Sequence, residues 1–257
     1  MSMIAASENA VTSIDWHQND LYRFFAFVFA PPTRECFDLL SQPGLPGALR
    51  NLWKQLGCEG EFPGFEWFAS YEQYESAYIA LFDVGIPEPP VPLFESAHDK
   101  THPAQEIALE NTYFYEVLGL KSDPSRAVPD YLVTQLEFLA ALRYTSDNTA
   151  DDATAIALAQ AEAEFLERRL LNWLPMAKTK LDRTGAPGFP CLMLLLTQFL
   201  SHRNVELQGS GITPKSRAGS KILPPAPDFQ GTFRRGQAIS QQPAQAHTDD
   251  DVRLRKT

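Results

Sequence analysis

Four side chains with metal-ligand chemistry crowd one short stretch: Glu95, His98, His102 and Glu106. Spacings of three, four and four residues would set them on one helical face, a donor set suited to a divalent cation. Pro103 works against that face, because proline lacks an N–H and pushes the residue before it out of the helical region. The preferred reading of the four is ordinary polar and capping work, and a helical metal-dependent enzyme is the alternative. A second set has different chemistry. Glu88, Glu95 and Asp130 are carboxylates, and the first two bracket Pro89, Pro90, Leu93 and Phe94 in the run PEPPVPLFE. Carboxylates beside rigid apolar surface suit guanidinium groups, which bind them in paired geometry.

Other chemistries lack their motifs. There is no G-x-x-x-x-G-K-[ST], no G-x-G-x-x-G and no G-x-S-x-G in the chain. Cys36, Cys58 and Cys191 are odd in number and far apart, which fits neither a disulfide framework nor a zinc site. A reduced, cytoplasmic setting suits them. No cofactor is expected from any of these residues.

The elements that must position these groups are helical. The first helix is expected over 15–29, stopped by Pro31 and Pro32, and the second over 33–40. A third covers 48–56. Residues 66–84 are the clearest amphipathic segment, with Trp67, Tyr71, Tyr74, Tyr78, Leu81 and Phe82 at helical spacing. A stiff proline-rich loop follows over 85–93. Further helices are expected over 106–118, 131–144, 151–174 and 190–202, with Asp130 capping one of them and Pro175 ending another. No stretch alternates apolar and polar residues at period two, so the fold class is all-α, a single bundle of about eight or nine helices. The two longest apolar runs, 21–30 and 191–200, are too short to cross a bilayer, which takes about 20 residues. The expected organisation is a frayed lead-in over 1–14, a helical domain over 15–205, and a disordered tail over 206–257 that is poor in large apolar residues.

The 257 residues are 44% hydrophobic and 21% charged, enough to bury a sizeable core. Net charge is −10, so nucleic acid is not an expected partner. The charge is uneven. Residues 59–116 hold twelve acidic residues and one basic residue, Lys100, while the tail carries a net +3. An acidic region this dense, next to exposed proline and aromatic residues, reads as a docking surface for something cationic.

Three sequence blocks carry a resemblance. YESAYIALF at 74–82 runs into PEPPVPLFESAH at 87–98; ENTYFYEVLGL closes the block 106–120; PDYLVTQLEFLAAL occupies 129–142. In this order they resemble the molybdoenzyme maturation chaperones of the TorD, DmsD and NarJ group. The proline loop is most similar to the branch serving type II dimethyl sulfoxide reductase-family enzymes, which include dehydrogenases of dimethyl sulfide or ethylbenzene and reductases of selenate or chlorate. The resemblance covers about 15–205. It implies a cytoplasmic, client-specific chaperone rather than an enzyme. Such a protein binds the twin-arginine leader and apo form of the catalytic subunit of a bis-pterin molybdenum oxidoreductase until cofactor insertion and export. It implies no stable membrane insertion, and leaves monomer and dimer both open. Many relatives carry Asp-His where this chain has Asp130 and Tyr131; tyrosine keeps a hydrogen-bonding ring but carries no positive charge near neutral pH.

On this reading Glu88, Glu95 and Asp130 take the leader's guanidinium groups. Tyr78, Leu81, Phe82, Leu93 and Phe94 receive its apolar stretch, with Pro89, Pro90, His98 and Tyr131 completing the surface. Apolar contact dominates the affinity: burying roughly 300 Å² is worth about 7 kcal/mol gross, whereas exposed ion pairs add about 0.2–1 kcal/mol each. A general helical adaptor for another cationic partner is the remaining alternative. In the tail, TFRRGQAI at 232–239 places Arg234 and Arg235 beside Phe233 and crudely mimics a leader.

Overall fold

The chain is described here from a computed structural model that covers residues 18–122, 128–210 and 233–235. The expected lead-in over 1–14 lies outside these residues, as does most of the expected tail. Among the described residues ten α-helical segments run in chain order: α1 (Gln18–Phe29), α2 (Arg34–Leu40), α3 (Leu45–Gln55), α4 (Tyr71–Tyr78), α5 (Glu95–His98), α6 (Ala104–Val117), α7 (Leu132–Asn148), α8 (Asp152–Phe165), α9 (Leu171–Asp182) and α10 (Phe189–Gly209). A π-turn, Ile79–Asp83, extends α4, and a second, Leu166–Leu170, joins α8 to α9 in one rod. The fold is all-α, as the sequence indicates.

Two helix boundaries differ from expectation for physical reasons. α4 starts at Tyr71, not near 66, because the Ser70 side chain accepts the Gln73 N–H and caps it there. The residues before Ser70 are needed elsewhere. Trp67 packs between Phe65, Phe68, Tyr74 and Phe189. Gly188 makes room for it: its φ is +70°, and a β-carbon there would collide with the Trp67 ring. Pro175, expected to end a helix, lies inside α9. The wide π-turn just upstream has already broken the hydrogen-bond register, so the missing proline N–H falls within about one turn of that break.

The ends of the chain also depart from the expected plan. α10 runs to Gly209, past the boundary at 205, with Arg203 and Leu207 buried on its inner face. A short antiparallel ribbon joins β1 (Leu120–Ser122) to β2 (Phe233–Arg235), with Leu120 opposite Arg235, Lys121 opposite Arg234 and Ser122 opposite Phe233. Three residues are too few to show period-two alternation, and backbone pairing needs no side-chain pattern.

The core is one continuous apolar cluster. α1 packs along α7, α7 on α8, and α9 on α10. Leu132, Leu136, Leu139 and Leu142 on α7 are each about 1% exposed or less, and each buried leucine contributes roughly 1.5–3 kcal/mol. A buried ion pair ties the far end: Arg203 Nε and Nη2 lie 2.8 and 2.9 Å from the two Glu162 oxygens, and the Tyr22 hydroxyl donates to Glu162 at 2.8 Å.

Candidate client-binding site

The proline-rich loop is built on fixed anchors. At its base the Val91 N–H donates to the Leu81 carbonyl at 2.9 Å, and Val84 N–H closes the π-turn onto Ile79. Beyond its tip the chain pairs with residues 128–132. Glu95 N–H donates to the Asp130 carbonyl and Leu132 N–H to the Leu93 carbonyl, both at 2.9 Å, which makes Phe94 and Tyr131 an antiparallel bridge. Their rings pack at 5.1 Å. The Tyr115 hydroxyl donates to the Pro129 carbonyl and pins the same strip from α6.

Within this frame the candidate residues divide sharply. Tyr78, Leu81, Phe82 and Leu93 are core. The Tyr78 hydroxyl donates to the Phe29 carbonyl at 2.9 Å and lies 3.2 Å from the Tyr131 hydroxyl. Phe82 meets Phe29, Tyr78 and Phe189 edge to face. These four side chains are not an open apolar trough, because the bundle interior already covers them.

Glu95 is likewise committed. It is 2% exposed. Its Oε2 accepts from Asn111 at 2.9 Å, Gln135 at 2.7 Å and Arg169 Nε at 3.2 Å, and its Oε1 lies 2.7 Å from Arg169 Nη2. Burial raises its pKa, while Arg169 and the two amides pull it back. Buried and held by these partners, the carboxylate is closed off from an incoming guanidinium. Asp130 is also buried, and its carboxylate accepts the Ser96 N–H at 3.1 Å. It therefore caps α5 across the strip; the N-cap position of α7 is Tyr131. His98 stacks on Trp173, and its Nε2 lies 2.7 Å from the Pro92 carbonyl. A carbonyl only accepts, so Nε2 carries the proton and the buried Nδ1 lone pair has no hydrogen-bond partner.

The metal-like quartet does not converge. Glu95 and His98 face these interior partners, whereas the exposed His102 holds Asp99 at 2.9 Å. That contact raises the His102 pKa. Among the described residues no group of three or more His, Cys, Asp and Glu forms a metal-binding cluster. Burial pushes the Cys36 and Cys191 thiols up to about 11 and about 12, so both are poor nucleophiles.

What remains open is the loop tip. Ile86 is 100% exposed and Val84 62%. Asp83, Glu88 and Pro90 are exposed beside them, and Pro89, Phe94 and Tyr131 are half-buried. Val84 and Ile86 escaped the sequence reading because two aliphatic residues in a loop carry no periodic signal. The polar set around Glu95 (Asn111, Gln135, Arg169 and Trp173) escaped it too. One trace was visible: Gln135 sits among the apolar positions of α7, where a polar side chain must find an interior partner. Its amide nitrogen donates to Glu95 and to Asn111 at 3.0 Å, and its oxygen accepts from Trp173 Nε1 at 3.2 Å.

The helical bundle thus presents a pinned, outward-facing proline loop with exposed apolar and acidic side chains. The family model described as nitrate reductase delta subunit matches residues 43–178, more than half of the chain, and the chain belongs to that family. Three relatives are named as assembly chaperones. The perchlorate reductase assembly chaperone protein of Dechloromonas aromatica is 27% identical over 147 residues, 56% of this chain and 63% of that protein. The selenate reductase assembly chaperone protein of Thauera selenatis is 33% identical over 119 residues, 46% of this chain and 62% of that protein. The chlorate reductase assembly chaperone protein of Ideonella dechloratans is 32% identical over 115 residues, 44% of this chain and 60% of that protein. The matches thus span about three-fifths of the length of these relatives. Family and relatives agree with the resemblance to the TorD, DmsD and NarJ group carried by the three sequence blocks.

Proposed function

We propose that this chain is an assembly chaperone, without catalytic turnover, for the catalytic subunit of a bis-pterin molybdenum oxidoreductase. It binds the subunit's twin-arginine leader in the cytoplasm and holds the apo form until the cofactor is inserted. The observation that carries this reading is the loop tip, where exposed aliphatic side chains stand next to carboxylates on a backbone fixed at both ends. Roles divide accordingly. Ile86, Val84, Pro89, Pro90, Phe94 and Tyr131 meet the apolar stretch of the leader, and Glu88 with Asp83 meets its arginines. Tyr78, Leu81, Phe82, Leu93, Glu95, His98 and Asp130 hold the loop in place. Pre-fixing the loop leaves mainly the leader to be ordered, at a cost of about 2–5 kcal/mol.

The test is direct. Capture of the tagged chain from its host should recover one molybdenum catalytic subunit with its leader uncleaved. Titration of that leader should show Ile86→Asp weakening binding by about 10-fold or more, since burying an aliphatic side chain is worth roughly 1.5–3 kcal/mol. Ile86 touches no core residue, so thermal stability should hold. Recovery of no such subunit from cells that make these enzymes counts against the proposal. A leader that binds equally well with both arginines changed to alanine favours the general adaptor.

A further inference from the structure

We infer that the backbone edge of β1 is a strand-addition site for extended, arginine-bearing segments, and that Phe233–Arg235 of the chain itself is its resident occupant. The inference rests on the proposed leader binding and adds a second place of contact for the same client. Three observations converge. The first is the ribbon: β2 lies antiparallel to β1 with Arg234 opposite Lys121. The second is the surroundings of β1. Gly119, at φ +66°, turns the chain out of α6 directly into it. Helix α6 carries Glu106, Glu110 and Glu116 and no basic residue, with Leu109 70% and Tyr113 54% exposed. Leu109 and Tyr113 are four residues apart and share a face. Lys121 and Arg234 set two basic residues opposite each other, so the pairing rests on the backbone ladder, and Glu116, four residues before β1, is the α6 acid nearest to it in the chain. The third is the occupant, TFRRGQAI, whose adjacent arginines follow an aromatic residue and precede small and apolar ones. That is the chemistry assigned above to the client.

The linker does not force this choice. The 22 residues of 211–232 extend to about 70 Å, so many tail segments have the reach to pair with β1. A ribbon of three residues per strand is marginal by itself. Tethering gives the occupant a high effective concentration, yet leaves it displaceable by a client with more contacts. The empty chaperone thus keeps its own edge covered, which also blocks pairing with other exposed strands.

The full-length chain and an Arg234→Pro variant test this, since proline is disfavoured within a paired strand. The probe is a synthetic peptide with two adjacent arginines followed by a leucine–alanine run, read by fluorescence anisotropy. Arg234→Pro should bind it about 5–10-fold more tightly, the factor expected when the cis strand is filled most of the time. A peptide of residues 228–240 should compete with the probe on that variant. Equal affinities, or no competition at saturation, overturn the inference. A probe that binds neither chain overturns the leader reading alone. The inference then stands only if labelled 228–240 binds the variant and slows hydrogen exchange at Leu120–Ser122.

Discussion

His98 shows how one buried residue makes the loop sensitive to pH. Its Nε2 holds the Pro92 carbonyl and its ring lies on Trp173, so the loop backbone is tied to α9 through a neutral imidazole. Burial lowers its pKa; the hydrogen bond to the Pro92 carbonyl opposes this, Lys180 and Lys100 push it further down, and Glu88 pulls it up. Below the unfolded value of about 6.5 the unfolded chain binds a proton that the folded chain refuses. Stability is therefore fully present above about pH 6.5 and declines as pH falls towards the folded value. His102, raised by Asp99, works in the opposite direction from an exposed position. Urea midpoints at pH 7.5 and 5.5 should fall with acid in the native chain. In His98→Phe, which keeps an aromatic ring on Trp173, the fall should be smaller. An unchanged slope in that variant would show that His98 does not contribute.

At the scale of elements, the loop is held by a charge 74 residues further along the chain. Arg169 lies in the π-turn between α8 and α9 and grips Glu95 at the start of α5, while its Nη1 reaches Glu110 on α6 at 2.5 Å. Removing one partner of a buried ion pair leaves the other uncompensated, at a cost of roughly 3–5 kcal/mol. Arg169→Ala should lower the unfolding free energy by about that amount. Adding Glu95→Gln should restore part of it, because the stranded carboxylate is then gone. A cost below about 1 kcal/mol would mean that the pair is not what anchors α5.

The same element explains what was legible in the sequence. The helices of the bundle followed from apolar spacing and proline stops such as Pro31 and Pro32, because those causes are local, whereas the Ser70 cap that starts α4 was not read and the segment was expected from 66. The loop announced itself by composition. Which of its residues face inward did not follow from spacing. Tyr78, Leu81 and Phe82 are interior because Phe29 and Phe189, distant in sequence, close over them. Glu95 looked like a free acid because its partner is 74 residues away. Tertiary pairing decides both, and a local pattern does not record it.

For the whole molecule the decisive property is the uneven field. The chain carries −10, and its segment 59–116, which includes α4, the proline loop and most of α6, carries −11, so the remaining residues together are net +1. Charges spread over exposed surface contribute little to the final affinity, since each exposed pair is worth about 0.2–1 kcal/mol. Under the proposed function they together steer the cationic leader before contact, and such steering is screened beyond about 10 Å at 0.1 M salt and about 3 Å at 1 M. The on-rate and off-rate should therefore respond differently. Raising salt from about 50 mM to about 500 mM should slow association of an arginine-bearing leader by about 10-fold or more. Dissociation, governed by the apolar contacts at Ile86 and Val84, should change much less. Stopped-flow mixing with a labelled leader separates the two rates. If association is indifferent to salt while Ile86→Asp still weakens binding, the acidic segment is only a solvated face and recognition lies wholly in the loop tip. If both respond, the acids of 59–116 gather the client and the pinned loop retains it.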